Sequence, residues 1–195
     1  MKNKKTIFVI LAVAIVIIVA ITMTMNKQDK NVKLMSYDEV FIDMIENGIS
    51  EAEARTSLLY DVADEAEAKN ANYNVIVETL DINDDYKPTL KFYFEVGRGA
   101  ENEYIERLIT VAFNPKDKDI EKSLNGLIYS DLLNSNEIYY TVVGDFYTSE
   151  DENTRYFSPR ELYGKGVNIN YQATNTQEHY ADVNASGVCS FKEFK

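Results

Sequence analysis

The residues that could do chemistry are few, and most are acidic. Asp81, Asn83 and Asp85 reproduce the D-x-N-x-D oxygen spacing that opens a calcium-binding loop. The rest of such a loop is missing: Tyr86 stands where the sharp turn needs Gly, and Phe92 where a bidentate Glu closes the shell. The segment is expected to be a solvated hairpin turn, so no metal site is assigned to it. The acidic tips should respond to divalent cations only through diffuse screening. His179 is the single histidine and Cys189 the single cysteine, so a transition-metal cluster of thiolates or imidazoles is excluded, and so is an intrachain disulfide. No G-x-S-x-G or comparable nucleophile setting accompanies His179, which reads as a surface residue flanking a turn. Cys189 reads as a buried small hydrophobe in a strand.

Gly97-Arg98-Gly99 has the first two glycines of a dinucleotide fingerprint, but Asn102 occupies the third place and a hairpin strand precedes it. It is expected to be a turn, and no cofactor is expected. Carboxylates cluster at Glu101, Glu103 and Glu106 and again at Glu150, Asp151 and Glu152. Two carboxylates flanking a sugar bond can hydrolyse it, provided the fold sets their separation. Tyr93, Tyr139 and Tyr147 alternate with the apolar positions Leu90, Phe92 and Phe94 and Ile138, Tyr140, Val142 and Phe146. They are candidates for an exposed tyrosine row that contacts protein or sugar, with packing under a helix layer as the competing expectation.

These side chains are delivered by a chain whose first feature is a membrane segment. Residues 7–25 run for nineteen positions without a charge, Gly or Pro, after a leader containing Lys2, Lys4 and Lys5. As a helix this stretch is about 28 Å long, close to the roughly 30 Å hydrocarbon core of a bilayer. It exceeds a signal-peptide core and lacks an A-x-A-like site, since Ala20-Ile21-Thr22 ends in Thr; an uncleaved signal-anchor is therefore expected. The basic leader, residues 1–6, is placed in the cytoplasm and the rest outside, in a single-pass arrangement at the cell membrane. Residues 34–195 hold 14 basic groups against 31 acidic ones, a net charge of −17. That charge argues against nucleic-acid binding and favours basic partners or divalent cations, and its commonest meaning is plain solubility. An exported chain without disulfides suits a bacterial cell envelope.

Periodicity predicts the elements beyond a tether at 26–35. Ser36 and Glu39 form a capping box for a helix over 37–47, with Asn47-Gly48 as its stop. Ser50 and Glu53 repeat the device, opening a second helix that runs to about Asn70. The period then drops to two: 74–82 and 89–96 predict a hairpin, and 104–113 a third strand. Ile120, Leu124, Leu127, Ile128 and Leu132 predict an inserted helix over 119–133, weakened by Asn125-Gly126. Strands follow at 137–148, 155–157, 167–173 and 188–194, with one helical turn after Ser158-Pro159-Arg160-Glu161.

The expected fold is therefore α+β: a transmembrane helix, then two helices packed on a mostly antiparallel curled sheet with one inserted helix, residues 36–195 forming one acidic domain in two layers. The element order loosely resembles the cystatin and NTF2-like layout, a likeness that covers no motif and implies no function. The expected function is a membrane-anchored extracytoplasmic binding or assembly module without catalytic activity, possessing a protein partner and a bilayer contact through 7–25. The alternative is an anchored cell-wall hydrolase that uses acidic residues.

Overall fold

The computed structural model describes residues 34–100, 102–148, 154–157, 166–173 and 178–191. The predicted membrane segment, the helical turn after Ser158, Glu101 and the cluster Glu150, Asp151 and Glu152 lie outside them. Among the described residues no helix is long and apolar enough to cross a membrane.

Among the described residues three short helices come first. Helix α1 (Tyr37–Glu46) starts on the predicted capping box: the Ser36 hydroxyl accepts the Glu39 N–H at 3.3 Å, and the Glu39 carboxylate accepts the Ser36 N–H at 2.9 Å. It ends at Asn47, where Gly48 adopts φ +82°. Helix α2 (Glu51–Leu58) is capped by the Ser50 hydroxyl. The single long helix expected to reach Asn70 is instead two, because Asp61 takes φ +60° and α3 (Glu65–Asn70) restarts on its own cap. Asp64 accepts the Glu67 N–H at 2.9 Å while the Glu67 carboxylate accepts the Ala63 N–H at 2.7 Å. These local bonds compete with helix continuation and win at the break.

The remainder is antiparallel sheet. Strands β1 (Asn72–Thr79), β2 (Thr89–Arg98) and β3 (Glu103–Asn114) form a three-stranded sheet in that order, and the predicted hairpin is present with Asn74 opposite Phe94. A two-residue ribbon, β4 (Lys116–Asp117) with β5 (Ile120–Glu121), precedes a five-stranded sheet. Its members are β6 (Ser123–Asn134), β7 (Glu137–Thr148), β8 (Thr154–Phe157), β9 (Val167–Gln172) and β10 (Glu178–Ser190), in the order β10-β7-β6-β9-β8.

The expected inserted helix is thus strand β6. Leu124, Ile128 and Leu132 are spaced by four, which keeps them on one face of a strand as well as of a helix, so the pattern could not separate the two. Gly126 separates them: it lies opposite Gly144 of β7, and a Cβ there would stand 2.7 Å from the Gly144 Cα, with the Val143 carbonyl oxygen nearer still. The two glycines let two backbones approach more closely than side chains allow.

The layers number three. On one face of β1-β2-β3, Tyr73, Tyr93, Ile109 and Ala112 pack against Val40, Met44, Ile49, Ala54, Leu58 and Ala68 from the helical segment. On the other face, Phe92 and Phe113 meet Tyr140 and Phe146 of the five-stranded sheet at ring-centroid distances of 5.5 and 5.9 Å. The part of β3 from Leu108 to Phe113 is therefore buried on both sides, and for this reason it reads as a continuous, mostly apolar run. Among the described residues the architecture is mostly antiparallel sheet with three short helices, and the two-layer expectation is corrected to helices on sheet on sheet.

Candidate functional site

Odd-numbered residues of β2 face the helices and even-numbered ones face the second sheet. Glu95 thus emerges on the helix side, directly across from Arg107 of β3. The Arg107 Nε and Nη2 donate to one Glu95 carboxylate oxygen at 3.1 and 2.8 Å. The same guanidinium reaches the end of α2, donating to the carbonyls of Ser57 at 3.3 Å, Leu58 at 3.2 Å and Tyr60. A helix C-terminus carries orphan carbonyls and a partial negative charge, so a planar five-donor cation is a fitting cap. Arg107 locks the helical segment to the sheet.

Beyond this lock the helices stop covering the sheet, leaving a cleft of about 690 Å³. Its walls include Tyr60, Asp61 and Glu67 from the helical side and Glu95, Arg98, Tyr104 and Glu106 from β2 and β3. Register shifts in the β2–β3 pairing leave Glu106 with no β2 residue directly opposite it, between Arg107 opposite Glu95 and Ile105 opposite Val96. Tyr104 lies across from Gly97, and an added Cβ on that glycine would stand 2.5 Å from its ring and 2.6 Å from the Glu106 carboxylate. The Tyr104 phenol donates to Glu106, which raises its pKa above the ordinary tyrosine value. Among the described residues four carboxylates (Asp61, Glu67, Glu95, Glu106) therefore face two guanidiniums, of which Arg107 is held as described and Arg98 stands 3.4 Å from Glu103. The surplus is negative, which suits a cationic group beside the Tyr60 and Tyr104 rings.

The residues singled out in the sequence are dispersed. Tyr93 belongs to the three-stranded sheet and is fully buried under α1, its hydroxyl donating to the Asp43 carboxylate at 2.7 Å. Tyr139 and Tyr147 lie half-buried on the outer face of β7, in the other sheet, so the three tyrosines form no common row. In the acidic turn, Asp81 pairs with Lys87 at 2.8 Å, and the Asn83 side-chain oxygen accepts the N–H groups of Asp85 and Tyr86 at 3.0 Å each. Asn83 is thus the pivot of an Asx turn. Gly97 and Arg98 are strand residues, and Gly99 makes the turn, its N–H donating to the Asn102 carbonyl at 2.7 Å. Cys189 is a buried strand residue, and burial pushes its thiol up to about 12.

His179 is the second residue of strand β10 and half-exposed, a surface position; residues 174–177, which precede the strand, lie outside the described residues. Its Nε2 stands 2.8 Å from Asp182 and 3.7 Å from Asp145 of β7. Nothing in the sequence spacing brought these three together. The cleft was equally hidden, apart from Gly97, Arg98 and Glu106, because Glu95 and Arg107 are twelve positions apart and acquire their roles only by strand pairing. No protein-family model, curated protein or solved structure matches the chain.

Proposed function

We propose that the protein is a membrane-anchored extracytoplasmic binding module, a subunit of a bacterial envelope complex, that takes a basic group of a protein partner into its acidic cleft and has no catalytic activity. The observation that carries this reading is the excess of carboxylates in a cleft flanked by two tyrosine rings. The net charge of −17 over residues 34–195 agrees with a basic partner and speeds its encounter. The apolar stretch at 7–25 supports the anchor. Exposed Leu133, Val143 and Val188 add apolar surface to the five-stranded sheet, which suits assembly.

The alternative, an anchored hydrolase, draws on the same carboxylates. Against it, Glu95 is ion-paired with Arg107 and Glu67 is bonded to the Ala63 N–H, so neither is placed as the proton donor that glycoside hydrolysis requires. The test is binding of lysine-rich and glutamate-rich peptides to the full-length protein, alongside Glu106→Gln and Asp61→Asn variants. Preference for the lysine peptide, weakened several-fold by both substitutions and by added salt, is expected. Equal binding of both peptides overturns the cleft reading, and release of the protein from membranes by an alkaline wash overturns the anchor.

A further inference from the structure

The outer face of β7 and β10 carries an arrangement that a plain sheet would avoid. Asp145 and Asp182 are direct cross-strand partners, and like charges placed opposite one another destabilise a strand pair. Beside them the register of β10 shifts: His179 faces Tyr147 and Ala181 faces Phe146, so Tyr180 is an extra residue, a β-bulge. In a regular strand residues three apart point to opposite faces. The bulge cancels that alternation and turns His179 onto the side of Asp182 and Asp145. Its own residue, Tyr180, is spent elsewhere, ring-edge against Tyr86 at 5.7 Å and beneath the Lys122 ammonium at 4.4 Å.

One imidazole nitrogen and two carboxylate oxygens from these residues lie within 4.8 Å of one another. Donor atoms about 2.0–2.2 Å from a tetrahedral metal are separated by roughly 3.4 Å, so the 2.8 and 3.7 Å separations at Nε2 straddle that spacing. Tyr147 packs its ring perpendicular to the imidazole at 5.7 Å and holds its plane.

We propose that Asp145, His179 and Asp182 bind a divalent transition cation of the zinc class, with water completing its coordination. The mixed set of one nitrogen and two oxygens excludes soft-metal sites built on thiolate and favours zinc over calcium or magnesium, which take oxygen alone. The expectation from sequence excluded clusters of imidazole or thiolate, and this site needs neither, since one histidine suffices. The cation would neutralise the facing aspartates and tie β10 to β7 at the bulge. The three side chains are between 41% and 84% exposed, so binding is expected to be reversible and chelator-sensitive.

The test is isothermal titration of full-length protein with Zn²⁺, with Mg²⁺ as the control for diffuse screening, and Co²⁺ absorption as the coordination readout. A stoichiometry near one is expected, with the affinity lowered at least tenfold by His179→Ala and by Asp182→Asn, and unchanged by Asp81→Ala. All three positions are exposed, and the circular dichroism of each variant checks that it has folded. Undetectable binding at millimolar Zn²⁺, an equal response to Mg²⁺, or binding insensitive to His179→Ala overturns the proposal and leaves a surface ion pair.

Discussion

Replacing Arg107 by Met should unlatch the helices from the sheet. The native guanidinium makes five hydrogen bonds, two to Glu95 and three to carbonyls at the end of α2. The ion pair is well shielded, with side-chain exposures of 11% for Arg107 and 18% for Glu95, so solvent screening does little to discount it. Methionine preserves much of the apolar stem but leaves the Glu95 charge and the helix-end carbonyls without their partner. Removing one member of a buried pair costs about 3–5 kcal/mol, far above the 0–1 kcal/mol of an exposed one. At about 2–4 °C per kcal/mol for a protein of this size, the melting temperature should fall by roughly 6–20 °C. Urea denaturation followed by circular dichroism gives the loss directly. Arg107→Lys, which keeps the charge but cannot span Glu95 and three carbonyls, should fall between. Adding Glu95→Gln to Arg107→Met removes the stranded charge, so the double variant should be more stable than the sum of the single losses by more than about 1 kcal/mol. A loss below about 1 kcal/mol for Arg107→Met, or strictly additive losses, refutes the lock.

Three more perturbations follow from the packing. Tyr93→Phe deletes the 2.7 Å bond to Asp43, which keeps Lys91 at 3.3 Å, and should cost about 1–2 kcal/mol, whereas Tyr139→Phe on the outer face should stay within roughly 0.5 kcal/mol; denaturation midpoints compare the two. Gly126→Ala drives a methyl into the β7 backbone and should destabilise by roughly 2–3 kcal/mol, seen as a lower melting temperature with the secondary structure retained below it. Burial raises the Cys189 thiol from 9.0 to about 12, so the folded state keeps a proton that the unfolded chain releases; its stabilising effect is complete below about pH 9 and is lost as pH rises toward 12. Native protein should therefore resist a disulfide thiol reagent at neutral pH and react in denaturant, and Cys189→Ala should flatten part of the alkaline fall in stability.

Local signals carried the starts of α1 and α2 and the first hairpin. Ser36 with Glu39, and Ser50 with Glu53, start helices because each cap is complete within four residues, and the alternation from Leu90 to Val96 needs no distant partner to declare a half-buried face. Cys189 was legible as a buried strand residue for the same reason. Where the local signal was degenerate, tertiary structure chose. The four-residue spacing of Leu124, Ile128 and Leu132 satisfies both periods, and the close approach of Gly126 to Gly144 makes β6 a strand. Most of β10 is polar and small, from Ala181 to Gly187, and it is a strand because β7 offers it a ladder. Tyr93 differs from Tyr139 in nothing the pattern records, yet a second sheet on one side and α1 on the other bury it. The Glu95–Arg107 lock, the acidic cleft and the Asp145–His179–Asp182 group exist only through strand register and bulges. Pairing is set by energies summed over whole sheets, so residues distant in the chain become neighbours without any local mark of it.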